Sequence, residues 1–170
     1  MDFVSQTTYE LHREHLRQLR LRMSIFEKSY PEMAGKSCKE ILKLPIKRPE
    51  REAAAALLAD ILAHELYFSS FSKTHAPSSA IRRAFGSEAN FIYQLTRAAE
   101  NSLGFAFVLL DRYGTPALSV HTEPLSAFLS SGTPILAVDL CEHAYFYDYF
   151  FDKAAYLRTA LSHLDLSKIK

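Results

Sequence analysis

Tryptophan is absent from this chain, cysteine occurs only twice, and neither sign of charge prevails: 20 Lys and Arg stand against 19 Asp and Glu, a formal net charge of +1. So even a balance removes the electrostatic case for a nucleic-acid partner. The basic cluster from Arg13 to Arg22 is interleaved with Leu and reads as the solvated face of an amphipathic helix. Cys38 and Cys141 have no CxxC spacing, and one pair in 170 residues is no disulfide framework, so a reducing compartment is expected. No stretch approaches the ~20 uninterrupted apolar residues of a membrane span. Phe146 to Phe151 is strongly aromatic, but it is short and Asp148 interrupts it. Met1-Asp2-Phe3-Val4-Ser5 shows no basic region followed by an apolar core, so no secretory signal is expected and the reading is cytoplasmic. Internal repeats and low-complexity segments are also missing.

What is there reads as an α+β chain. Leu11, Leu16, Leu19, Met23 and Phe26 recur at helical spacing and predict a long amphipathic helix from Thr8 to about Glu27, punctuated by Pro31 and Gly35. Ser37 with Glu40 three residues on is a capping box for a short helix to Leu42. From Arg51 to Phe71 an unbroken apolar pattern predicts a second long helix, packed antiparallel on the first. His75-Ala76-Pro77-Ser78 reads as a hinge, dividing the chain into an N-terminal helical hairpin, residues 1–76, and a C-terminal mixed α/β part, residues 77–170. There, helices over Ser79 to Phe85 and Glu88 to Asn101 lead to three strands of an antiparallel sheet: Phe105 to Leu110, Ala117 to His121 and Pro134 to Leu140. A helix from His143 to Leu164, with a break expected near Phe151-Asp152, closes the chain.

The most informative segment is Asp139-Leu140-Cys141-Glu142-His143-Ala144-Tyr145, which follows the apolar run Pro134 to Val138. It ends a buried strand with a carboxylate and offers an imidazole one helical turn later, and carboxylate with histidine is the ligand chemistry of iron, manganese and zinc. A helix-capping Asp followed by a core His would read the same way. Each long helix also carries an imidazole, His12 and His64, and such a histidine alone is more often an ordinary core or surface residue than a ligand.

The segment is similar to the carboxy-terminal signature of the iron/manganese superoxide dismutases, with Cys141 where that family usually has Trp. The resemblance extends through Tyr9-Glu10-Leu11-His12, Gly35-Lys36-Ser37, His64 with Tyr67-Phe68, Ala80-Ile81, Phe85-Gly86-Ser87, Phe91, Gln94 and Thr133-Pro134-Ile135-Leu136. It implies His12, His64, Asp139 and His143 as ligands of one iron or manganese ion per subunit. The implied reaction converts superoxide anion to dioxygen and hydrogen peroxide, without nucleic acid or membrane. It also implies a homodimer, bridged by Glu142 with Tyr145, in which Glu142 orients His143 of the second subunit.

The resemblance fails around the ligands. Arg20 stands where the family has a Tyr, Leu16 for a His, and Ala63 for an Asn. The Gln that hydrogen-bonds coordinated solvent would fall on Asp60, or on Glu123 or Pro124; the aromatic positions hold Phe68, Phe107 and Cys141. Asp60 or His121 is the candidate replacement for the Gln, and Arg20 for the Tyr as a guide for the anion. The alternatives are a dismutase-fold metalloprotein with a different redox or metal-sensing role, an interaction protein on this fold, and a zinc hydrolase using Glu65 as base.

Overall fold

The computed structural model describes residues 3–73 and 77–170. The hinge expected at residues 75–78 lies partly outside the described residues, and so does the boundary drawn at residue 76. The chain runs α1 (Gln6–Ser29), α2 (Cys38–Ile41), α3 (Arg48–Ser69), α4 (Ser79–Phe85) and α5 (Glu88–Ala99), then β1 (Phe105–Leu110), β2 (Pro116–His121), α6 (Leu125–Leu129), β3 (Thr133–Asp139), α7 (Phe146–Tyr149) and α8 (Lys153–Leu161). No described helix is long and apolar enough to cross a membrane.

Ser5 starts α1 by accepting a hydrogen bond from the Thr8 amide at 3.2 Å. The buried stripe Thr8, His12, Leu16, Leu19, Met23 then advances in steps of three and four, the spacing that keeps one helical face inward. The Ser37–Glu40 capping box forms as expected. α3 opens with Pro49 in its first turn and buries Ala54, Ala55, Ala59 and Ala63, small side chains that let α1 and β3 approach closely.

The sheet has the order β2-β1-β3 with both pairings antiparallel. β1 is central and buried on both faces, as its unbroken apolar sequence requires. Its first residue, Phe105, pairs with His121 on one side and Asp139 on the other, so both outer strands finish one of their ends in the same row. Gly104, at φ +80°, makes this possible: a Cβ there would overlap the His121 carbonyl oxygen and the Thr122 backbone.

Two hydrophobic cores result. Leu16, Leu19, Met23, Met33, Ile41 and Ile61 fill the helical hairpin, and Phe91, Phe105, Phe107, Leu136, Tyr156 and Leu157 are among those filling the α/β part. α3 belongs to both: Ala54 to Ile61 lie in the first core, Ala63 and Tyr67 in the second, and His64 stands just past the changeover. The seam between two cores is where polar side chains can be buried without leaving a hole in either.

Three elements depart from expectation. The closing helix breaks next to the expected Phe151-Asp152, but it falls into more pieces than a single break makes. A helical turn at Glu142–Ala144 precedes α7, Phe150 adopts φ 49°, and Asp152 caps α8 anew by accepting from the Ala155 amide at 2.8 Å. The left-handed Phe150 breaks the run, since a residue in that region cannot propagate a right-handed helix. α6 appears between β2 and β3, where no element was expected. β3 begins at Thr133 and ends on Asp139 itself, one residue earlier at each end than the expected strand.

Candidate metal centre

α1 brings His12, α3 brings His64, the end of β3 brings Asp139 and the following turn brings His143. One potential ligand atom from each lies within 4.8 Å of all the others. The focus is a single oxygen: Asp139 Oδ2 is 2.8 Å from His143 Nε2, 3.1 Å from His12 Nε2 and 3.6 Å from His64 Nε2. His64 Nε2 and His143 Nε2 also face each other at 3.3 Å. Asp139 is fully buried, His12 and His64 nearly so, while His143 keeps about a third of its surface (36%) open.

The surroundings orient these groups. His64 Nδ1 donates to the Asp60 carbonyl oxygen at 2.7 Å, which fixes the tautomer and leaves Nε2 with its lone pair toward the cluster. Asp139 Oδ1 accepts from the Cys141 amide at 2.9 Å, and the Tyr156 hydroxyl donates to the Asp139 carbonyl at 2.9 Å. Tyr67 lies behind, its hydroxyl 3.4 Å from that of Tyr156 and its ring against His12.

Electrostatics follow from this packing. Burial works to raise the Asp139 carboxyl, but the His12 and His143 rings outweigh it and hold the group well below the ordinary carboxylate range. Burial pulls His64 down to about 4. It also acts to lower His143, but the Asp139 carboxylate overcomes it and the imidazole is raised. His12 Nε2 is buried without a hydrogen bond: the Asp139 oxygen is near but misaligned. Such an orphaned nitrogen is costly. A cation shared by all four groups would satisfy it, and three imidazoles with one carboxylate suit iron, manganese or zinc.

The remaining candidates are spread out. Asp60 sits beside the cluster, with Oδ1 3.7 Å from His64 Nδ1; burial and the Asp139 charge raise its carboxyl. Arg20 does not face the cluster: its guanidinium pairs with Glu65 at 2.7 Å on an exposed helix surface. That pairing also occupies the carboxylate considered as a hydrolytic base. His121 turns to Ser119, with Nε2 2.6 Å from Oγ. Glu142 lies on the exposed turn beside His143, whereas Tyr145 is buried and its ring stacks on Tyr156 at 4.9 Å.

His15 was missed by the sequence reading. Three residues after His12 on α1, it lays its ring 4.6 Å from that of His143 and 4.9 Å from that of His64. The i, i+3 spacing from His12 was the available signal. Register matching had directed attention to Leu16, one position on, which points into the hairpin core.

The comparisons with known proteins agree with this geometry. The sequence profile of the iron/manganese superoxide dismutases, C-terminal domain, matches residues 73–170. An iron superoxide dismutase of Photobacterium leiognathi is 32% identical over 127 residues, covering 69% of this chain and 63% of the relative. A chloroplastic iron superoxide dismutase of Arabidopsis thaliana is 36% identical over 87 residues, covering 49% and 33%. One from Synechococcus elongatus is 29% identical over 109 residues, covering 59% and 54%. The matches thus span from about a third to just under two thirds of these relatives' length. With the profile covering more than half of the sequence, the chain belongs to the iron/manganese superoxide dismutase family.

Proposed function

We propose that the protein converts superoxide to dioxygen and hydrogen peroxide at one iron or manganese ion held by His12, His64, Asp139 and His143. The convergence of three imidazole nitrogens on one oxygen of Asp139 carries this reading. The bound ion would supply the redox change between its trivalent and divalent states.

The chain's own groups do the rest. Asp139 contributes one negative charge against three neutral imidazoles, so the loaded centre stays net positive and attracts an anion. The Asp60 carbonyl and the Cys141 amide hold His64 and Asp139 in position. His143, the one ligand-type side chain open to solvent, marks the side from which a small anion arrives. Asp60 Oδ1, raised by burial, is a proton acceptor beside that approach. Thr8, Leu11, Glu142, His143, Phe146 and Tyr147 line a surface hollow of about 250 Å³, and the exposure of Leu11, Phe146 and Tyr147 supports a homodimer meeting there, with Glu142 reaching the partner's site.

A second reading, a metalloprotein of this fold with another redox or metal-sensing role, is favoured by one observation: carboxylates of Asp60 and Glu123 stand where an amide donor to bound solvent was expected. The test is metal content by elemental analysis with superoxide consumption by iron-loaded and manganese-loaded protein. One equivalent with rapid turnover supports dismutation; stoichiometric metal without turnover supports the second reading. Failure to hold either ion removes both.

A further inference from the structure

The cluster meets solvent through a recess as well as at the exposed edge of His143. It forms one wall of a cavity of about 600 Å³ between α1, α3 and the loop after β2. At ~30 Å³ per water this is space for about twenty waters, and it falls within the usual range for sites that hold small organic molecules. A diatomic anion would occupy only a fraction of it.

The lining limits what fits. His64 and His143 present the ligand cluster at one wall. Ala53, Ala56, Leu57, Phe105, Pro124 and Leu125 make apolar surface, with the Phe105 ring edge-on to His64 at a centroid distance of 5.1 Å. Asp60 and Glu123 add two carboxylates against the single guanidinium of Arg22. No donor among the described residues hydrogen-bonds the Asp60 carboxylate, and His64 Nδ1 stands 3.7 Å from its Oδ1. The apolar wall favours a flat hydrocarbon body, and an iron or manganese ion favours an oxygen donor. A carboxylate on the ligand would lie against Asp60 and Glu123, whereas a hydroxyl could donate to them.

The geometry points to an aromatic alcohol, a phenol, as the ligand class of this cavity, its oxygen toward the metal centre, its hydroxyl within reach of Asp60 and its ring against Phe105 and the α3 alanines. This rests on the metal-site reading above. It concerns occupancy of the cavity, not the reaction that follows.

The test uses the iron-loaded full chain, with metal content measured on the same sample. Phenol is titrated in and followed by the change in the visible absorption of the iron centre; azide and benzoate are titrated separately. The expected result is saturable binding of one phenol per iron, at least tenfold weaker benzoate, and at least tenfold weaker phenol in Ala56→Phe, which fills the cavity from the exposed side of α3, with azide affinity unchanged. Azide binding without phenol binding, or phenol binding indifferent to Ala56→Phe, would overturn the proposal and leave the metal site standing. Protein that holds no iron would overturn the metal site and this inference together.

Discussion

The two flanks of the His/Asp cluster are built to opposite rules. On the closed flank His12, Tyr67, Tyr156 and Asp139 are almost wholly buried, and the hydroxyl of Tyr156 and both Asp139 carboxylate oxygens have defined partners. On the open flank His15, Asp60, Cys141 and Glu123 line a cavity, and Asp60 has no matched donor. The closed flank specifies where the ligand atoms are. The open flank decides what reaches them, and Asp60, Glu123 and Cys141, three of the positions where the resemblance fails, lie there. A centre whose holding machinery and access machinery occupy different faces can have one rebuilt while the other is kept.

The strongest way to break the contrast is Asp139→Ala. Three imidazoles then lose their common partner at the most buried point of the molecule. Metal content should drop from one equivalent to less than a tenth. Metal-free protein should lose about 3–5 kcal/mol of stability, as when a buried polar pair is broken from one side. Elemental analysis and urea denaturation read the two effects; retention of full metal would mean that Asp139 is not the hub.

Tyr156→Phe attacks the closed flank more gently. The Asp139 carbonyl loses its hydroxyl donor in a fully buried place, costing about 1–3 kcal/mol, which in a chain of this size lowers Tm by roughly 2–12 °C. A calorimetric shift smaller than 1 °C would show that the hydrogen bond contributes nothing net.

Arg20→Ala sharpens the contrast from outside. Because Arg20 pairs with Glu65 in solvent, its loss should cost less than about 1 kcal/mol and leave metal content unchanged. Should superoxide consumption fall severalfold in this variant with metal intact, Arg20 would serve the approaching anion after all.

The smallest effect concerns Asp148, whose Oδ2 accepts from the Ser5 amide at 2.7 Å and so joins the start of α1 to α7. Burial opposes its ionisation, but the hydrogen bonds from Ser5 and Thr8 together prevail and the carboxyl is held low. A depressed carboxyl contributes stability that is present above its unfolded value, near 4, and is lost as pH falls through its folded value. The stability difference between wild type and Asp148→Asn, a few tenths of a kcal/mol after solvent screening, should therefore shrink as the pH is lowered from 5 toward 3. Paired urea midpoints at the two pH values measure it.

Much of the closed flank was legible in the sequence. His12 and His64 stand at helical spacing inside long amphipathic stripes, and the segment from Asp139 to Tyr145 is a compact linear motif. Strand β1 appeared with its observed ends, because a fully apolar run flanked by Gly104 and the turn at Arg112-Tyr113-Gly114-Thr115 has few other conformations. The open flank was harder to see. His15 and Glu123 meet across the cavity only once α1 and the loop after β2 are packed, and nothing local marks such a meeting. α6 escaped notice because it is one short turn with no side-chain cap. A break near Phe151-Asp152 was expected, but its cause was not, because the left-handed backbone of Phe150, at a residue other than glycine, is imposed by tertiary packing and not announced by composition.

The hydroxyl of Tyr156 also sets an order of events. A ribosome delivering roughly 5–20 residues per second exposes His12 and His64 well before it releases β3. The backbone of Asp139 acquires its buried donor only when α8 has emerged and docked. Nascent chain could therefore gather imidazoles early, yet the carboxylate that focuses them comes into register last. An ion held by all four groups would therefore be selected after α8 has docked, and the pool of metal that matters would be the one met by the folded site.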